Sequence, residues 1–459
     1  MKGRAIAFLL IFALICGAFG FMSADLSASA RDYALEGELL AGSREAAEGI
    51  ALEYAQWLHG CLVWRTAYDL GSGGQTLDFS WRSSLEEPET RPFELEAEDV
   101  FDRFAVGPGS EYSPAIAGLV DGFLESGKLS EEYVLNDYVD CVPVVFRLLV
   151  PDEGGGAWVR TQRSLSELFF VPLPENVRVR FERDEGSSFY DYKYAGSGLT
   201  ARASSVEAAG YIYFTFSVRE SLSGENELRF EGGPLLDGSH LPGGGWGLWR
   251  VKLEGEGLAL ESLEQVLSLG TDWQDAVLAL DGERPLLLTL ADGRVTLRAL
   301  DAESGAVTDE FTLFEGFEPS WYGLAELEVQ SFPEGIAVAD RDGAAATLLR
   351  SGEGYTGLRL WDSQAEYDER SRLLGLGPEG SFYAYERQYR LFGERLAVLE
   401  PTDIYSGSNK QAEGLLMLYV YDPEDGLIFA ERLSSPLSGV SQYVGSETAL
   451  VPAEQRSTK

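Results

Sequence analysis

Tyr419-Val420-Tyr421-Asp422-Pro423-Glu424-Asp425-Gly426-Leu427-Ile428 spells a strand, an acidic turn and a second strand in ten residues. Aromatic and β-branched side chains suit a pleated, half-buried surface. Asp-Gly suits the turn, because tight hairpins need positive φ where glycine carries no steric penalty. The same phrase returns at residues 249–260, 296–311 and 346–360, besides 418–433, with turn glycines Gly257, Gly305, Gly354 and Gly426. Successive glycines stand 48, 49 and 72 residues apart. The last gap shrinks toward the others if residues 401–414, rich in Gly, Ser and Asn, form an inserted loop. A period near 45–50 residues with about four strands per unit is that of a propeller blade.

The quoted stretch, and Ala299-Leu300-Asp301-Ala302-Glu303-Ser304-Gly305-Ala306-Val307 with it, resembles the strand–Asp–x–x–x–Gly–strand phrase of quinoprotein-like blades in extracytoplasmic β-propeller repeat proteins. The resemblance spans roughly residues 245–435. It lacks the Trp-Asp pair of WD40 blades, the kelch double glycine and the tryptophan-docking signature of quinoproteins. It therefore implies architecture only, since propellers host enzymes, sensors and scaffolds alike. The expected fold is mainly β and β-propeller-like, with about six or seven four-stranded blades, an N-terminal export or anchor helix and one or two short helices. A pair of β-sandwiches or open meanders is the alternative.

Outward from the repeats, the chain divides into residues 1–30, 31–155 and 156–455. Lys2 and Arg4 precede an apolar run over residues 5–22, and Ala28-Ser29-Ala30 offers a cleavage pattern. Positive charge ahead of an apolar segment holds the N-terminus in the cytoplasm and sends the rest across. The run is at the short end of a bilayer span, so signal peptide and uncleaved anchor both stand. Residues 31–155 read as a mixed region that also has the option of supplying a blade. Strands are expected at 50–57, 61–68 and 76–81, then an acidic spacer at 84–99. A helix follows from Pro114, capped by Ser113 and stopped by Gly127, and a strand at 142–150. Residues 152–156 make a linker, and from 156 onward the pattern is antiparallel β.

A net charge of −39 with no basic stripe disfavours nucleic acid and anionic lipid surfaces as partners. At 45% hydrophobic the chain is no disordered acidic tail. The expected partner is a protein or glycan outside the membrane, with residues 5–22 holding the membrane if uncleaved. His59 and His240 are the two histidines, both beside turn residues, which leaves little for a metal site or a catalytic triad. Cys61 and Cys141 either pair in an oxidising compartment or stand apart as core thiols. Gly375-Leu376-Gly377-Pro378-Glu379-Gly380 matches a dinucleotide fingerprint in letters, but a strand follows where a helix is required, so it reads as a hairpin. Asp340-Arg341-Asp342-Gly343 starts like a calcium loop, but three alanines follow, so it reads as a turn. The aromatic runs at 189–194 and 246–249 suit either packing or a binding face. No residue is assigned a catalytic, cofactor or metal role. The expected function is extracytoplasmic, membrane-associated binding, sensing or accessory work. The alternative is a secreted carbohydrate-active or other hydrolytic propeller using channel carboxylates.

Overall fold

The computed structural model describes residues 34–58, 62–81, 92–98, 114–151, 157–185, 191–194, 198–221, 234–318, 323–340, 345–352, 354–361, 371–374, 380–384, 387–406, 409–434 and 444–455, with six isolated positions before them. It is mainly β. Contacts divide it into two compact units. One holds Met1–Glu87, Asp342–Ala345 and Trp361–Lys459; the other holds Pro88–Arg341 and Ala346–Leu360.

The first unit opens with β1 (Glu36–Gly42), β2 (Ile50–Leu58), β3 (Leu62–Asp69) and β4 (Gln75–Trp81). β2, β3 and β4 form the expected antiparallel meander. Its second turn closes where the Gly73 amide donates to the Asp69 carbonyl at 2.7 Å.

The second unit starts with β5 (Glu94–Glu98), inside the stretch expected as an acidic spacer. Phe93, Leu95 and Ala97 alternate with Glu94, Glu96 and Glu98, the period of a half-buried strand, and acidity disguises it. Helix α1 (Pro114–Ser126) runs where expected and ends at Gly127, whose φ of 71° stops the turn. Strands β6 (Ser130–Val134), β7 (Cys141–Pro143), β8 (Val145–Pro151) and β9 (Ala157–Thr161) follow. The single strand expected over 142–150 is thus two, joined at Val144, with β7 and β8 in different sheets. A short helix α2 (Arg163–Ser166), β10 (Phe170–Pro172), β11 (Arg178–Glu182) and β12 (Asp191–Tyr194) complete this region. Its sheets are β5-β8-β9, β12-β11-β6 and β10-β7.

Three four-stranded antiparallel sheets then form in strict chain order. The first is β13 (Gly198–Ala208), β14 (Tyr211–Ser221), β15 (Gly247–Glu254) and β16 (Gly257–Ser268). The second is β17 (Asp275–Asp281), β18 (Arg284–Ala291), β19 (Arg294–Leu300) and β20 (Val307–Glu315). The third is β21 (Glu328–Phe332), β22 (Gly335–Ala339), β23 (Ala345–Ser351) and β24 (Gly354–Trp361). Back in the first unit, β25 (Gly380–Ala384), β26 (Gln388–Phe392), β27 (Arg395–Ser406), β28 (Asn409–Asp422) and β29 (Gly426–Ser434) build a further sheet, which β1 extends beside β29. Finally β30 (Val444–Pro452) pairs with β2 along its whole length.

The four repeat hairpins are β15–β16, β19–β20, β23–β24 and β28–β29. The first three join the third and fourth strands of four-stranded sheets, while β28–β29 lies inside a six-stranded sheet. The expected loop over 401–414 is strand instead. β27 and β28 continue past the ordinary length, pairing Pro401 with Leu416 and Ser406 with Asn409 across bulges. Thr402 and Ile404 favour the pleat, and Gly407 and Ser408 lie outside the described residues.

First strands lie side by side within the second unit: β5 beside β13, β13 beside β17, and β17 beside β21. Adjacent residues of a strand face opposite ways, and β13 uses both. The Ser205 hydroxyl accepts from the Leu95 amide at 2.6 Å, while Ser204 accepts from the Leu278 amide at 2.8 Å. Behind them sits an aromatic core in which Phe146, Phe169, Phe214, Phe216 and Trp249 lie 5.2–6.0 Å apart, edge to face except where Trp249 stacks on Phe214 and Phe216. Each buried ring contributes about 1.5–3 kcal/mol by area and a further ~1 by ring geometry. Leucines of β18 and Leu297 meet Ile336 and Val338 in a second core. In the first unit, Leu399, Leu418, Val420 and Phe429 pack against Ile50 and Leu52.

The apolar run at 5–22, the 152–156 linker, His59 and Cys61 lie wholly or mostly outside the described residues, as do residues 341–344 and 375–379 of the two motif-like stretches. Among the described residues no helix is long and apolar enough to cross a membrane.

Candidate functional site

Three first strands wall a cleft of about 480 Å³ inside the second unit. β5 brings Glu94 and Glu96, β13 brings Arg202 between Ala201 and Ala203, and β17 brings Asp275 with Ala276 and Val277. Trp273 and Phe216 supply the aromatic part of the wall. The alanines leave the space; larger residues at those positions would fill it. A volume in this range suits a small-molecule ligand.

Glu94 and Glu96, two residues apart on one strand, point the same way, roughly 7 Å apart along the backbone. Burial pushes the Glu96 carboxyl above the ordinary carboxylate range. Repulsion from Glu94 adds to this, and Arg147, its cross-strand partner on β8, offsets only part. Asp275 heads β17 and is 6% exposed. One of its oxygens accepts from its neighbour Ala276 N at 3.0 Å and the other from Leu324 N at 2.7 Å. It thereby ties the strand to the 3-10 turn Gly323–Glu326. Burial drives Asp275 above its usual value, and the Leu324 amide with Arg202 tempers the rise without reversing it. Arg219 of β14 holds the approach to β17, donating to the carbonyls of Trp273 at 3.1 Å and Gln274 at 2.5 Å. Its guanidinium lies 5.8 Å from the Trp273 ring centre. The Trp273 indole N–H has no acceptor among the described residues, although the side chain is 5% exposed.

Among the described residues, none of those weighed from sequence lines this cleft. His240 sits in an exposed turn, as its neighbours suggested. Cys141 is an exposed thiol at the start of β7. Trp246 and Trp249 are packing residues. Both are buried, and their indoles donate to the carbonyls of Leu236 and Pro242 at 2.9 and 3.0 Å. Among the described residues no group of three or more His, Cys, Asp or Glu is placed to hold a metal ion. The sequence signal that was present and unread is Glu94-Leu95-Glu96-Ala97, an alternation that puts two acids on one face of a strand.

No family model and no curated protein matches the chain. Among solved structures it is similar to one described as a 6-phosphogluconolactonase from Bacteroides uniformis, at 12% identity over 88% of this chain and 100% of that one, with a TM-score of 0.28. It is also similar to a luciferin-regenerating enzyme, at 10% identity over 87% and 95% of the two chains and a TM-score of 0.22. A prolyl endopeptidase structure matches at 9% identity over 90% and 54%, with a TM-score of 0.25. At these scores the likenesses carry no argument.

Proposed function

We propose that the chain is an extracytoplasmic, membrane-associated binding protein whose sheets are propeller blades and whose small-molecule ligand occupies the cleft between β5, β13 and β17. The cleft carries the reading: a cavity of ligand size, walled by three first strands, with carboxyls raised by burial and a donor left without an acceptor. First strands are what line the centre of a propeller. Their side-by-side order in the second unit, and the packing of β26 against β30 in the first, support the blade assignment. So does the pairing of β30 with β2, the kind of seam that closes a ring of sheets. The export reading rests on Lys2, Arg4 and the apolar run at 5–22.

A hydrolytic role needs two free carboxyls facing a substrate. Asp275 has committed both oxygens to backbone amides, and the remaining pair, Glu94 and Glu96, stands on one strand rather than on facing walls, so binding is the better account. The test is a thermal-shift screen of the purified chain against a small-molecule library, beside Ala201→Trp and Ala276→Trp, which fill the cleft. Hits on the parent that vanish in a still-folded plugged variant are expected. Hits that persist in both plugged variants, or none at all, defeat the reading. A fusion of residues 1–40 to a periplasm-only reporter should be active and should fail with Leu10→Arg plus Leu14→Arg, since each charge opposes insertion by ~2.5–3.5 kcal/mol.

A further inference from the structure

Resting on the cleft as a ligand site, we infer that its ligand is a small organic amine that also carries a hydroxyl or carbonyl oxygen. Three observations converge. Glu94 and Glu96 lie on one face of β5 and line a cavity that Asp275 also lines, so carboxyls outnumber the one lining guanidinium, Arg202. A cation between Glu94 and Glu96 relieves their mutual repulsion, which Arg147 offsets only in part. The state of Glu96 is the signature: burial and Glu94 hold its carboxyl raised even with Arg147 across the ladder. A metal ion would need converging ligands, and among the described residues no such set exists. That leaves an ammonium, held by charge and by the cavity wall. The second handle is independent of the acids. Trp273, buried in the wall, keeps an indole N–H without an acceptor among the described residues, which an oxygen on the ligand would satisfy. Between the handles the wall is apolar, with Ala201, Ala203, Ala276 and Phe216, and accepts a hydrocarbon body. A chain of net charge −39 also draws cations toward any acidic opening.

Linkage fixes the pH behaviour. Glu96 is raised in the free cleft, and a bound ammonium favours its ionised form, so across the Glu96 titration binding expels a proton. Affinity then rises as pH climbs through the Glu96 titration and weakens as pH falls.

The probes are trios on one skeleton: tyramine, tyrosol and 4-hydroxyphenylacetate, and glucosamine, glucose and glucuronate. Isothermal titration of the purified chain should show the amine member bound at least tenfold tighter than the alcohol. The carboxylate should be weakest, and titration in two buffers of different ionisation heat should report proton release. Glu96→Gln, nearly isosteric, should cost tenfold in amine affinity at unchanged melting temperature, while Glu256→Gln, on an exposed turn, should cost nothing. Alcohols or carboxylates binding as tightly as amines would overturn the amine assignment and leave the cleft a binding site. Absence of binding by every member, with the library screen also empty, would remove both.

Discussion

Asp275 and Asp281 are the two ends of one strand, β17, face the same side of it and are almost equally buried, yet their carboxyls move in opposite directions. Burial pushes both up. At Asp281 it is outweighed by Arg350, Ser331 and the Tyr355 hydroxyl, all of which donate to the carboxylate and hold it below its ordinary value. At Asp275 the donors are two backbone amides, and burial prevails. The first unit repeats the Asp281 arrangement with different residues. Glu431, fully buried, accepts from Tyr68 at 2.7 Å and pairs with Arg44, and burial together with Glu431 pushes the Tyr68 hydroxyl up to about 12. An Arg–Tyr–acid clasp therefore fastens neighbouring sheets in both units, while the carboxyls around the cleft go without one. Where acids hold sheets together they are saturated, and where they face a cavity they are left wanting.

The largest effect should come from breaking a clasp. Asp281→Ala leaves Arg350 and Tyr355 without their shared acceptor, at a cost of roughly 3 kcal/mol, read as a lowered urea midpoint. A cost below about 1 kcal/mol would abolish the distinction between the two ends. Gly37→Ala should come next. A Cβ there would meet both Glu431 Oε1 and the Tyr68 hydroxyl at 2.6 Å, so the clasp must open, for about 2 kcal/mol. Adding Tyr68→Phe should recover part of the loss if that crowding is its source. Asp275→Ala should cost less, about 1 kcal/mol, because two lost amide bonds are offset by removing a buried charge. A loss equal to that of Asp281→Ala would mean that Asp275 is clasped too. The smallest effect is in the pH dependence. Asp281 is depressed, so its stabilisation holds above the ordinary carboxylate range and is lost as pH falls through and below it. Asp275 is raised, so the parent gains on Asp275→Asn as pH falls through its raised titration toward the ordinary carboxylate range. Melting curves of both Asn variants against the parent should thus diverge in opposite senses on acidification; parallel curves would contradict the assignment.

The repeat hairpins were legible because their cause is local. Gly305 and Gly426 adopt φ of 73° and 72°, the conformation their acidic turns require, whereas in the other two hairpins positive φ falls on Gly255 and Gly352, and the expected turn glycines Gly257 and Gly354 are the first residues of the second strands. Helix α1 was legible for the same reason, through Pro114 at its start and Gly127 at its end. β5 was not, since its acids outvote its alternation in any composition window. The break at Val144 was hidden because the run 142–150 is apolar but for Arg147, and the Phe169 carbonyl, which accepts from Val144 N at 2.9 Å, marks where one sheet gives way to another. The cleft was out of reach. Glu96, Arg202 and Asp275 come together through the packing of three strands from distant parts of the chain, each from its own sheet, and 75 acidic residues give no hint which of them will meet.

The ladder between β2 and β30 also sets an order of events. Ile50–Leu58 is made early, and Val444–Pro452, which covers one of its edges, is made last. At about 5–20 residues per second, synthesis leaves that edge bare for roughly 20 to 80 s. During that time a strand of Ile50, Leu52, Tyr54 and Trp57 offers its amides to any passing chain. A holding chaperone for that interval is what such a seam demands of the cell.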